Sequence, residues 1–120
     1  GFGMVFVEAS VFTQQARQLL DDETFRAFQN DLAREPEKGA VMQGCGGLRK
    51  ARVEAPQRGK GKRGGFRVIY LHIPEAGRID LLAIYGKDCQ DDLTEPQKRA
   101  LKQMAEQARR EALAWKGRGT

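Results

Sequence analysis

Between Arg49 and Arg67 the chain places eight cations (Arg49, Lys50, Arg52, Arg58, Lys60, Lys62, Arg63 and Arg67) against one acid, Glu54, a local charge of +7. The whole chain carries 21 Lys and Arg against 16 Asp and Glu, so the other residues hold 13 cations and 15 acids and sum to −2. A basic patch on a mildly acidic protein points to a polyanionic partner; the competing reading is a solvated basic loop. Residues 48–54 alternate, with Leu48, Lys50, Arg52 and Glu54 on one face of an extended run and Arg49, Ala51 and Val53 on the other. Lys50 and Arg52 then stand about 6.5–7 Å apart, a spacing that lets two cations address neighbouring groups of one nucleotide chain. An edge strand kept from aggregating by its charges would look the same. The loop at 55–65, APQRGKGKRGG, adds four glycines and four cations. Its backbone can approach a phosphate closely, but it lacks the order of a nucleotide-triphosphate loop.

On a bound RNA chain the reaction to weigh these residues against is attack of a 2′-hydroxyl on the adjacent phosphate, a cleavage that the family resemblance drawn below implies and that the residue types alone do not. The hydroxyl must lose a proton and align with the leaving oxygen, the phosphorane must be stabilised, and the 5′-oxygen must be protonated. A histidine pair is missing, because the chain has one histidine, His72, which reads as a packing or solvent-facing strand residue. No carboxylate pair stands out near the basic strands. A lysine serves as base only where cations and desolvation favour its neutral form, and Lys50 crowded by Arg52 and Arg67 is that type of setting. An arginine braces a phosphorane with two parallel hydrogen bonds.

The elements that must position these residues follow from periodicity. Met4–Glu8 reads as a first strand. Helices are expected over 11–20, capped by Ser10, and from Asp21 or Asp22 with Phe25, Phe28 and Leu32 as the apolar stripe, ended by Pro36 and Gly39. They form a hairpin that packs on a sheet. The stretch 66–73, FRVIYLHI, is the strongest strand and expected to be central, with Arg67 at its start. Residues 74–77 turn the chain into an antiparallel return at 79–85. Thr94 and Gln97 match a capping box, with Pro96 in the first turn, and Leu101, Met104, Ala105, Ala108, Ala112 and Trp115 stripe a helix to about residue 115. The fold class is α+β: a small antiparallel sheet in the order β-α-α-β-β-β with an N-terminal helical hairpin and a C-terminal helix.

At 120 residues, 40% hydrophobic and 31% charged, the chain is one domain able to bury a single core. Gly1–Gly3 before Met4 is expected to be an appended remnant, and 116–120 a frayed tail. No run is long enough to span a bilayer, and no basic n-region marks a signal peptide. Cys45 and Cys89 make neither a disulfide framework nor a metal motif. No cofactor, metal or membrane is expected, and a reduced, cytoplasmic setting fits.

The segments GGLRKARV, GKGKRGGFRVIY, LLAIYGKD and DLTEPQKRAL resemble the RelE/HigB superfamily of toxin–antitoxin toxins, nearest to its HigB-like branch, over residues 5–110. The resemblance implies a ribosome-dependent mRNA endonuclease, an mRNA interferase, with ribosome and mRNA as targets and a cognate antitoxin as inhibitor. It implies catalytic positions at Lys50, Arg52, Arg67 and Lys87, with Arg67 matching the arginine of the family's G-aromatic-R motif. Arg49, Arg58, Lys60, Lys62 and Arg63 are the expected ribosomal RNA contacts. The chain departs from the family at Asp88, where RelE has a second arginine, and at Thr94, where RelE has its C-terminal catalytic tyrosine; Tyr85 is the available substitute. The alternatives are a non-catalytic RNA- or ribosome-binding module, a ParE-like toxin acting on a topoisomerase, and an interaction protein whose basic cleft receives an acidic partner.

Overall fold

The computed structural model describes residues 3–56, 63–87, 90 and 92–118. In chain order the elements are β1 (Val5–Glu8), α1 (Ser10–Leu19), α2 (Asp22–Arg34), β2 (Ala40–Val41), β3 (Arg49–Pro56), β4 (Arg63–Ile73), β5 (Arg78–Gly86) and α3 (Glu95–Arg118). The fold is α+β, as the sequence led us to expect. The sheet is larger and mixed: five strands in the order β1-β5-β4-β3-β2. β1 does not extend an antiparallel meander but runs parallel to β5, Val5 opposite Arg78 and Glu8 opposite Leu81. The β4–β5 hairpin leaves the outer edge of β5 unpaired, and the helical crossover after β1 is the type of connection a parallel neighbour needs. A two-residue β2 closes the other edge against β3. β4 is the central strand. Both hairpin strands run further than expected, with Pro56 opposite Arg63, so Arg67 lies inside β4 instead of at its start.

Strand alternation splits the core in two. Ala51, Val53, Phe66, Val68 and Tyr70 face α1 and α2, which contribute Phe12, Ala16, Phe28 and Leu32. Leu48, Ile69, Leu71, Leu82 and Tyr85 face α3, which contributes Leu101, Ala105, Ala108 and Ala112. The sheet is therefore the middle of three layers.

Helix ends follow local chemistry. Asp21 caps α2 by accepting from the Thr24 amide at 2.7 Å. The α3 box closes both ways: the Thr94 amide donates to Gln97 Oε1 at 2.8 Å, and the Gln97 amide to Thr94 Oγ1 at 3.2 Å. Ser10 is not a cap. It is the first helical residue after Ala9, and Thr13 secures this end by donating to Glu8 Oε1 at 2.6 Å. α2 ends at Arg34, before Pro36, and α3 reaches Arg118, past the expected stop. Trp115, expected in the apolar stripe, is 44% exposed and lies over the Arg78 guanidinium, 5.8 Å from its carbon to the ring centre. Among the described residues no helix is long and apolar enough to cross a membrane.

Candidate active site

The α3-facing side of the sheet changes character along its length. Beneath α3 it is apolar, with Leu48, Ile69 and Leu71 fully buried. Further along β3 and β4 the same alternation puts Lys50 and then Arg52 and Arg67 on that side. Arg52 is the register partner of Arg67, and Arg67 of Tyr85, so the three form one row across β3, β4 and β5. Lys50 stands in the preceding row, opposite Ile69 and so in line with Ala83. The following row holds Glu54 opposite Gly65, and the Lys87 amide extends it by donating to the Gly65 carbonyl at 3.0 Å. Lys87 itself is exposed.

Two arginines placed directly across a strand pair repel one another. Arg67 is half-buried and Arg52 exposed, and among the described residues neither guanidinium has a hydrogen-bond or ion-pair partner. Beside them the Tyr85 hydroxyl is a buried polar atom with no hydrogen-bond partner among the described residues. Burial pushes its pKa up from the ordinary 10.0, Asp92 adds to that, and Arg67 opposes it. The phenol is thus a protonated donor at neutral pH, in one row with the two guanidinium groups.

Lys50 has different company from what the sequence indicated. Its Nζ is 3.5 Å from Asp92 Oδ1, a carboxylate brought from 42 residues away in the chain. Lys98, on the first turn of α3, approaches the other oxygen, Oδ2, at 3.9 Å. Asp92 is fixed by the Leu93 amide, which donates to Oδ1 at 2.7 Å, and by Gln90 Nε2, which donates to its carbonyl at 2.6 Å. The Leu93 bond, with Lys50 and Lys98 behind it, holds the Asp92 carboxyl below its ordinary range, while burial opposes them. The structure therefore brings Lys50, Arg52, Arg67 and the Lys87 backbone to one end of one face, and adds Tyr85, Asp92 and Lys98. The acidic stretch at 88–92 was the only sequence signal for Asp92, and capping was the only visible role for the start of α3.

Arg49 is not part of this face. Alternation turns it to the other side, where Nη1 donates to the carbonyls of Glu37 at 3.0 Å and Gly39 at 2.8 Å, with Nη2 3.8 Å from Glu37 Oε1. It holds the α2–β2 connection. His72 lies on that side too, its Nδ1 3.5 Å from Glu37 Oε2. Arg63 opens β4. Arg58, Lys60, Lys62, Asp88 and Cys89 lie outside the described residues. Cys45 is free and buried in the α3-side core.

No protein-family profile matches the chain. Solved structures do resemble it. An arginine-to-alanine double variant of the E. coli toxin RelE in the free state aligns over 75% of this chain and 90% of its own, with TM-score 0.52 and 13% identity. The isolated E. coli RelE toxin aligns over 84% of this chain and 98% of its own, with TM-score 0.50 and 15% identity. The intact E. coli RelBE toxin–antitoxin complex contains a chain that aligns over 68% of this one and 93% of its own, with TM-score 0.47 and 14% identity. The chain has the RelE fold.

Proposed function

We propose that this protein is a ribosome-dependent mRNA endonuclease of the HigB-like branch, a toxin that cuts translated message. The observation that carries the reading is the opposition of Arg52 and Arg67 across β3 and β4, two guanidinium groups with no hydrogen-bond or ion-pair partner among the described residues, at one end of one sheet face. Like charges held this close cost stability, and a bound phosphate removes the cost. In the reaction the 2′-oxygen forms a bond to phosphorus as the bond to the 5′-oxygen breaks. The products are a cyclic 2′,3′-phosphate and a 5′-hydroxyl, so one proton leaves the 2′-oxygen and one reaches the 5′-oxygen. Arg67 and Arg52 brace the phosphorane oxygens, Lys50 adds charge beside them, and the Tyr85 phenol is the neutral donor for an oxygen of the transition state. Lys87 lies at the rim, one row further on.

Cations outnumber proton-transfer groups at this site, which fits an enzyme whose substrate arrives already aligned. If the ribosome sets the in-line geometry, much of the barrier falls through positioning, and electrostatics is what the protein must supply. Arg58, Lys60, Lys62 and Arg63 are the proposed ribosomal RNA anchors, with binding that weakens steeply as salt rises. The sequence resemblance brings with it a cognate antitoxin as the inhibiting partner and a cytoplasmic site of action.

The test is translation in a cell-free extract with primer extension on the message. Cuts within translated codons are expected from the native protein, and Arg67→Ala reduces them by about 10²–10³-fold, the scale of losing one oxyanion donor. Inhibition without cuts would make the protein a ribosome binder. Comparable cutting of free RNA would remove the ribosome dependence.

A further inference from the structure

We propose that Asp92 is an internal stand-in for a substrate phosphate, and that Lys98, which shares it with Lys50, is an additional RNA phosphate ligand. The inference rests on the RNA-cleaving reading of the same face and extends its binding surface from the sheet onto the first turn of α3.

Three observations carry it. One carboxylate offers an oxygen to each of two lysines, Oδ1 to Lys50 at 3.5 Å and Oδ2 to Lys98 at 3.9 Å. That is how one phosphate would be shared between a strand and a helix. Next, the contact is open and long: the Asp92 side chain is 55% exposed and each lysine 30%, and exposed pairs of this kind are weak. A polyanion that brings several phosphates at once can displace such an acid. Last, the pair adjoins the catalytic row. Asp92 acts electrostatically on Tyr85, and its neighbour Leu93 packs in the same apolar cluster as Tyr85. Lys98 also lies 3.7 Å from Glu95, so helix geometry keeps its ammonium at this end of α3 when Asp92 is displaced.

The free protein is then self-screened. Asp92 neutralises part of the site until RNA arrives, and RNA must exchange with it. Lys50 and Lys98 together track a phosphate one step along the backbone from the one held by Arg52 and Arg67.

The experiment measures binding of a labelled single-stranded RNA oligonucleotide by fluorescence anisotropy over a salt series, in the full chain. Asp92→Asn keeps an acceptor for the Leu93 amide and is expected to bind about three- to fivefold tighter. Asp31→Asn changes the net charge equally but lies on α2, on the opposite side of the sheet, where its partner is Arg34 of the same helix; screening limits its effect to less than about twofold. Lys98→Gln is expected to bind more weakly, with a salt slope lower by about 0.7, one single-strand phosphate contact. Equal effects of Asp92→Asn and Asp31→Asn would reduce the result to net charge and overturn the proposal. Unchanged affinity and slope in Lys98→Gln would overturn it independently, even if Asp92→Asn failed to fold. Because binding is read without ribosomes, a failure of the nuclease reading would show instead as absent cuts in the translation assay beside an intact binding series.

Discussion

Arg67 and Tyr85 are register partners on adjacent strands, and the phenol that this places beside the guanidinium is buried without a hydrogen-bond partner among the described residues. A buried hydroxyl left without a hydrogen-bond partner costs stability. Tyr85→Phe therefore raises stability to urea by about 0.5–1 kcal/mol while lowering message cleavage. The opposite signs are the diagnostic, since a structural tyrosine loses stability when truncated. A variant that is destabilised, or one that cleaves as well as the native protein, would remove Tyr85 from the site.

The second tyrosine is the reverse case. The Tyr70 hydroxyl accepts from the Gly39 amide at 2.9 Å and donates to the Pro36 carbonyl at 2.8 Å. Tyr70→Phe leaves that buried amide unsatisfied and costs about 1–3 kcal/mol. Gly39 has no room for a side chain: a Cβ there would stand 2.8 Å from Tyr70 Cε1 and 2.9 Å from the Lys50 carbonyl. Gly39→Ala is expected to cost about 1–3 kcal/mol through overpacking. Because the clash falls on the backbone of Lys50, it should also weaken RNA binding. Urea denaturation and the anisotropy assay check the two effects separately.

These contacts show where the sequence stops being informative. Gly39 reads as a helix terminator, yet its requirement comes from a strand 31 residues on. Arg49 and Lys50 are adjacent and chemically alike, but the pleat sends one to staple a loop and the other to the open face. The alternation at 48–54, the capping box of Thr94 and Gln97 and the centrality of FRVIYLHI are local patterns, and each is realised in the structure. The parallel docking of β1 on β5 and the arrival of Asp92 at Lys50 depend on tertiary packing, for which no periodicity exists. The row from Arg52 to Tyr85 is intermediate: its residues are visible, but their register is not.

Alkaline pH tests the burial of both rings at once. The chain has two tyrosines, and burial raises the pKa of each above the ordinary 10.0. A group whose folded pKa is raised stabilises the fold fully below its unfolded value and loses that contribution as pH rises through the folded value. Stability is therefore expected to fall above about pH 10, with tyrosinate absorbance appearing together with loss of far-UV circular dichroism. A phenol that ionises near its ordinary pKa while the helices persist would contradict the burial of that ring.

The far end of α3 provides a control on the site. Arg78 and Asp80 are both 4% exposed and form a two-pronged pair, Nε to Oδ1 at 2.7 Å and Nη2 to Oδ2 at 3.0 Å. Nη2 also reaches Glu111 Oε1 on α3 at 3.1 Å. The Asp80 bonds first, with Glu111 behind them, outweigh desolvation and hold the guanidinium charged. Arg78→Met strands a buried carboxylate and is expected to cost about 3–5 kcal/mol, whereas Arg78→Met with Asp80→Leu recovers most of it. Glu111→Gln, at a side chain 61% exposed, costs less than about 1 kcal/mol. If α3 is seated chiefly by its buried alanines and Leu101, Glu111→Gln leaves RNA affinity unchanged. A loss of affinity in that variant would mean that the ion pair sets the helix position, and through it the placement of Lys98 at the other end.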